Sequence, residues 1–190
     1  MIHCPIVPDK LRLIQSKLKM TNPIAPGELH QCAAFAQLTD AECETLAPFL
    51  VRDSVLAGET ILTLGHTTQA LWVVLDGQCD VIKPTTNGSS TVLATLEPGS
   101  VFGEMSFFDG ASHSASVKAK TDASFYWLPR EAFDRLELTN PQLTHRITLY
   151  VVRIIAERLR KMDAWVSSTV ENPDARYKKE WLEFRAKLFT

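Results

Sequence analysis

The residues best equipped for chemistry lie close together between Phe102 and Thr121, in the run FGEMSFFDGASHSASVKAKT. Gly103, directly after a strand-like run, lets the backbone approach a ligand closely. The residues after it can open a short helix, whose first N–H groups attract an anion. Glu104 beside such a site is not there for the anion; an acceptor-only carboxylate suits a pair of hydroxyls, as on a ribose. Gly110 permits a turn, and Ser112, His113 and Ser114 bring a cluster of donors back toward the same place. Together these parts describe a small pocket with separate subsites for a sugar and a phosphate.

The elements that must position this run are mostly strands. From Val51 to Arg130, short β-branched and aromatic runs alternate with turns marked by Gly58, Gly65, Gly77, Gly88 and Gly99. A turn signal roughly every ten residues is the rhythm of an all-β sandwich or barrel, and Asn87-Gly88 is a hairpin signal within it. The expected fold is mainly β with helical flanks: an antiparallel β-roll or jelly roll with N-terminal helices and a long C-terminal helix. Thr39 and Glu42 form a capping box ahead of the roll, with Leu38 placed to staple onto Cys43. After the roll, Arg130 to Leu136 reads as a short helix. Asn140-Pro141 then supplies an N-cap and a proline at the first position of a helix running to about Val166.

That long helix carries two apolar stripes. Leu143, Ile147, Val151 and Ile154 can face the roll. Val152, Ile155, Leu159, Met162 and Val166 alternate at three and four residues, as in a coiled-coil seam, and predict a homodimer. The sequence therefore divides into an extension with a short amphipathic helix (1–29), the roll with its flanking helices (30–137), the long helix (138–166) and a tail helix (167–190). In the extension, Leu11, Ile14 and Leu18 oppose Lys10, Lys17 and Lys19, which reads as a solvated face. In the tail, Tyr177, Trp181, Phe184 and Leu188 share one side, the pattern of an anchor onto the parent domain or of a face for a protein partner.

Composition narrows the function. A formal net charge of −2 gives no electrostatic reason to expect nucleic acid as a partner. The four cysteines, Cys4, Cys32, Cys43 and Cys79, form no C-x-x-C pair and lack zinc-site spacing. The start, MIHCPIVPDK, has no signal-peptide pattern, and no apolar run is long enough for a bilayer. The expectation is a cytoplasmic protein with reduced thiols, no metal, no resident cofactor and no membrane contact.

The run from Phe102 resembles the phosphate-binding cassette of cyclic-nucleotide-binding domains, as in catabolite activator proteins and kinase regulatory subunits. That cassette reads F-G-E-L-A-L, a short spacer, then P-R-(A/S/T)-A. Phe102, Gly103 and Glu104 match it, Met105 and Ser106 are acceptable variants, and Ser114 and Ala115 match the residues after the arginine. Upstream, ILTLGHTTQALWVVLDGQCDVI resembles the family hairpin, and the likeness spans about Phe35 to Leu159. It implies that Phe102, Gly103, Glu104, Met105, Ser106, Ser112, His113, Ser114 and Ala115 contact a cyclic mononucleotide, cAMP or cGMP, and that the helix from Pro141 responds.

His113 stands where the family places its phosphate-binding arginine, and His66 and Thr68 also depart from the family hairpin. Arginine holds a phosphate with a planar, permanently charged fork, whereas a histidine is mostly neutral at neutral pH. Two readings of His113 follow. In one, it joins Ser112, Ser114 and the Gly103 to Met105 backbone in holding the cyclic phosphate. In the other, it is a surface loop residue on a vestigial site. The functions that follow are a small regulatory sensor of cyclic nucleotide or a ligand-free dimerisation and protein-interaction module. A cupin-like enzyme lacks its H-x-H metal motif here, and residues 167–190 are too few for the helix-turn-helix reader that would bind DNA directly.

Overall fold

The computed structural model describes residues 24–85 and 88–171. Two helices come first. α1 (Pro26–His30) begins on a proline, and α2 (Asp40–Leu46) is capped by Thr39. Thr39 Oγ1 accepts the Glu42 N–H at 3.3 Å, and Glu42 Oε2 accepts the Thr39 N–H at 2.9 Å. This is the reciprocal cap expected from the sequence, and it satisfies two donors that no helical carbonyl reaches.

Eight strands follow among the described residues: β1 (Val51–Val55), β2 (Thr60–Leu62), β3 (Ala70–Asp76), β4 (Cys79–Pro84), β5 (Ser90–Leu96), β6 (Val101–Phe102), β7 (Ser116–Ala119) and β8 (Ala123–Pro129). They form two four-stranded sheets, in the orders β1-β8-β3-β6 and β2-β7-β4-β5, and every pairing is antiparallel. The expected antiparallel β-roll is the observed architecture. β4 and β5 pair from Cys79↔Leu96 to Pro84↔Ser90, although Asn87, read as the tip of that hairpin, lies outside the described residues.

Alternation sets the core. Trp72, Val74, Phe125 and Trp127, each two residues apart on the paired central strands β3 and β8, point inward with Val51, Leu62, Leu96, Phe102 and Val117. Trp72 stacks between Phe102 and Trp127, with ring centroids 5.7 and 6.3 Å away. Burying aromatic faces of this size is among the largest apolar contributions a side chain makes. Cys32, Cys43 and Cys79 are free, buried thiols, and burial is the main cause pushing each above its ordinary pKa. Cys4 lies outside the described residues.

Three boundaries differ from expectation. Ile24 and Leu29 are buried, and Glu28 Oε2 accepts from both Arg52 (3.1 Å) and Tyr126 Oη (3.3 Å), so packed structure reaches into the segment assigned to the extension. The short helix after the roll, α4 (Arg130–Thr139), continues past Leu136. The long helix α5 (Pro141–Glu171) continues past Val166, since no glycine or proline intervenes before Pro173. Asn140 is the N-cap read from the sequence, its Oδ1 accepting the Leu143 N–H at 3.2 Å.

The chain divides into two units, residues 1–148 and 149–190. In the first, Leu143 and Ile147 of α5 are buried. In the second, Val152, Ile155, Leu159 and Met162 are exposed. The helices read around Leu11 to Leu18 and around Tyr177 to Leu188 lie outside the described residues.

Candidate functional site

The run from Phe102 to Ala115 leaves β6, turns through α3 (Glu104–Asp109) and returns along a loop to β7. Gly103 caps the start of α3 at φ 75° and Gly110 caps its end at φ 72°, left-handed conformations that a side chain makes costly. Gly103 is required twice over. A Cβ there would meet the Trp72 ring and come within 2.9 Å of the Ala70 carbonyl oxygen. The helix therefore sits directly on the aromatic floor of the roll.

Against that floor the run divides into two faces. Met105, Ser112 and Ser114 are exposed, and the Ser114 hydroxyl lies 3.8 Å from Met105 Sδ. Phe102, Glu104, Ser106 and His113 are buried, Gly103 and Ala115 half-buried. The polar residues predicted as one cluster of ligand contacts are thus split between outside and inside.

His113 is the clearest case, and its burial departs from the reading of it as a surface loop residue. It is only 5% exposed, so it is not a surface loop residue. Its ring nitrogens are both engaged by the chain itself. The Thr68 backbone N–H, which can only donate, lies 3.3 Å from Nε2, so Nε2 is the unprotonated acceptor. The proton of the neutral ring is then on Nδ1, which donates to Ser106 Oγ at 2.8 Å, and Ser106 in turn donates to the Gly103 carbonyl at 3.2 Å. The backbone adds a second tie: the His113 N–H reaches the His66 carbonyl at 2.8 Å, and the Gly65 N–H reaches the His113 carbonyl at 2.9 Å. Burial, and then the nearby His66, holds the His113 pKa below the ordinary histidine value of 6.5. A charged imidazole would have to leave the Thr68 donor and be desolvated.

Chemically, the site offers a buried carboxylate on α3, exposed hydroxyls on the returning loop, and backbone donors. Residues 102–116 contain no lysine or arginine. Arg130 nearby has its own partners: Asp134 at 2.8 Å, the Phe107 carbonyl at 3.3 Å, and the rings of Phe107 and Phe133 at 5.3 and 5.4 Å. Among the described residues, no group of histidine, cysteine and carboxylates could hold a metal ion. No described helix is long and apolar enough to cross a membrane.

Sequence reading missed the contributions of Thr68, Trp72 and Arg130. Only Trp72 left a signal, as a large aromatic inside the ALWVVL run with Gly103 pressed against it. Thr68 acts through its backbone N–H, which no residue type announces.

Residues 52–140 match the model of the cyclic nucleotide-binding domain, and that stretch of the chain belongs to the family. It is 31% identical over 129 residues to the cyclic AMP receptor protein of Thermus thermophilus, covering 68% of this chain and 58% of that one. It is 32% identical over 119 residues to the cAMP-dependent protein kinase regulatory subunit of Yarrowia lipolytica, covering 63% of this chain and 30% of that one. Among solved structures, a cyclic nucleotide-binding domain from Methylobacillus flagellatus superposes with a TM-score of 0.64 at 25% identity, over 72% of this chain and 77% of that one. The chain thus spans less than two thirds of the length of the Thermus thermophilus and Yarrowia lipolytica relatives.

Proposed function

We propose that this domain is a regulatory module that takes a cyclic mononucleotide, cAMP or cGMP, in the run Phe102–Ala115 and passes occupancy on through α5. The observation that carries this reading is the assembled cassette: α3 is clamped between Gly103 and Gly110 on the Trp72 floor, with Glu104 buried on it. In this reading, Glu104 accepts ribose hydroxyls. Ser112, Ser114 and the backbone donors from Gly103 to Ser106 meet the phosphate, and Phe102, Met105 and Ala115 complete the wall. A ligand can move α5 only by its differential affinity for two arrangements of that helix. The exposed stripe Val152, Ile155, Leu159 and Met162 supports homodimerisation, by which the change would reach a protein partner. The reading is of a cytoplasmic binding protein, neither an enzyme nor a direct DNA reader.

Calorimetry with cAMP and with cGMP tests it. Binding that Glu104→Gln weakens by about tenfold or more, with the fold intact, is the expected result. No heat at millimolar ligand, with co-purified nucleotide removed, overturns it.

One observation favours a second reading, a ligand-free dimerisation and interaction module. The residue at the family's arginine position is turned into the protein, and the run around it carries no basic side chain. A folded protein that sediments as a dimer and binds neither nucleotide is the outcome that selects it.

A further inference from the structure

A histidine at the anion end of a phosphate pocket would ordinarily be read as a weak cation, drawn onto the ligand by protonation. The placement of His113 argues for a different use. Its imidazole joins three elements: α3 through Ser106, the β2–β3 turn through the Thr68 N–H, and β3 through the edge of Trp72, whose ring centroid is 6.3 Å away. Both nitrogens are oriented by partners whose donor and acceptor roles leave one arrangement of protons. The Thr68 N–H needs an acceptor, and Ser106, which gives its own proton to the Gly103 carbonyl, needs a donor. Only a neutral ring protonated on Nδ1 serves both.

We infer that His113 is a positioning residue: as a neutral imidazole it pins the cassette helix to the β2–β3 turn, and an anionic ligand is met by neutral donors alone. The part of this that concerns the ligand rests on the nucleotide reading above; the pinning does not. Ser106 and His113 then work as a unit, one residue on α3 and one on the returning loop, fixing the distance between the two walls of the pocket. A consequence separates this from a cationic role. Adding a proton puts a donor on Nε2 opposite the Thr68 donor, so the pin fails and the walls separate. Affinity for an anion should therefore fall in acid, where an imidazolium that touched phosphate would make it rise.

The titratable groups on the packed elements are His66 on the turn and Glu104 and Asp109 on α3, and β3 carries none before Asp76. Of these, His66 acts on the imidazole, and it opposes the charge.

The test has two arms. Nitrogen-15 NMR of the histidine rings, assigned by loss of signal in His113→Gln, should show the Nδ1-protonated tautomer at neutral pH and a titration midpoint below the ordinary value. An Nε2-protonated ring, or a midpoint above the ordinary value, overturns the inference. Calorimetry with cAMP and cGMP between pH 8 and pH 5.5, with His66→Gln as a control for the neighbouring ring, should show affinity falling by about three- to tenfold in acid. In His113→Gln, whose amide oxygen can still accept from Thr68 and cannot titrate, the acid loss of affinity should vanish whatever the affinity at pH 8. Affinity that rises in acid in the wild type, and loses that rise in His113→Gln, overturns it. If neither nucleotide gives heat at any pH, the nucleotide reading falls, and the NMR arm alone decides whether His113 pins the loop.

Discussion

β3 runs between two polar regions that use similar residues in different ways. Near its first residues lies the cassette, where Glu104, Ser106 and His113 are buried. Near its last residue, Asp76, lies a cleft of about 340 Å³ lined by Ser54, Val55, Leu56, Glu59, Asp76, Asp122, Ala123 and Ser124. The cleft holds three carboxylates, Glu59, Asp76 and Asp122, and two of them are occupied locally. Glu59 Oε2 accepts the Leu56 N–H and Asp122 Oδ1 accepts the Ala57 N–H, each at 2.8 Å. Glu59 and Asp122 are exposed, so water can replace either bond at small cost. In the cassette the same kinds of bond are desolvated, and losing one leaves a partner that water reaches poorly. The contrast teaches that acidic residues around a concavity are weak testimony to binding, whereas buried polar groups held by packing are informative.

The largest expected effect comes from the glycines. Gly103→Ala forces a side chain into Trp72 and the Ala70 carbonyl at positive φ, and should cost about 3–5 kcal/mol in urea unfolding. Gly65→Ala shares the positive φ, 81°, but a Cβ there meets nothing within 4 Å, so about 1–2 kcal/mol is expected. Equal losses would mean that the cassette can shift off its floor, and the contrast with the cleft would lose its footing.

The next effect compares polar contacts. His113→Ala strands the Ser106 hydroxyl and the Thr68 N–H and opens a void beside Trp72, and should cost about 2–4 kcal/mol. Asp122→Ala removes one exposed cap and should cost less than about 1 kcal/mol. Melting temperatures of the pair, measured side by side, read the difference directly. A His113→Ala protein as stable as Asp122→Ala would show that the buried network is loose.

How far the sequence carried follows the same division. The turn glycines, the alternating runs, the Thr39/Glu42 box and the Asn140-Pro141 start are local features, and local features located the roll and its helices. The F-G-E run placed the cassette between β6 and β7 for the same reason: glycine at a positive φ and a short helix are written in adjacent residues. What stayed illegible was direction. Whether His113 faces a ligand or the interior depends on Thr68, Ser106 and Trp72, separated from it by up to 45 residues. A residue type says what a ring can donate, not which side of a loop it occupies. α1 escaped notice because Pro26–His30 spans barely more than one helical turn; what fixes it is tertiary packing, Leu29 in the core and the Glu28 contacts to Arg52 and Tyr126.

The smallest expected effect, and the most diagnostic, is the pH dependence of stability. The folded chain holds His113 neutral more strongly than the unfolded chain does, chiefly through burial. As pH falls below the ordinary histidine value of 6.5, the unfolded chain takes up its proton first, and the equilibrium moves toward it. The stability from this group is therefore complete above that value and is lost as pH falls through it toward the lower folded value. Chemical denaturation at pH 7.5, 6.5 and 5.5 should show a decline in the wild type that is absent in His113→Gln and unchanged by Asp122→Asn. Carboxylic side chains in unfolded chains titrate at about pH 4, so the window between 6.5 and 5.5 belongs to histidine. A decline that persists in His113→Gln would assign the acid sensitivity to another group, and the cassette would then differ from the cleft in packing alone.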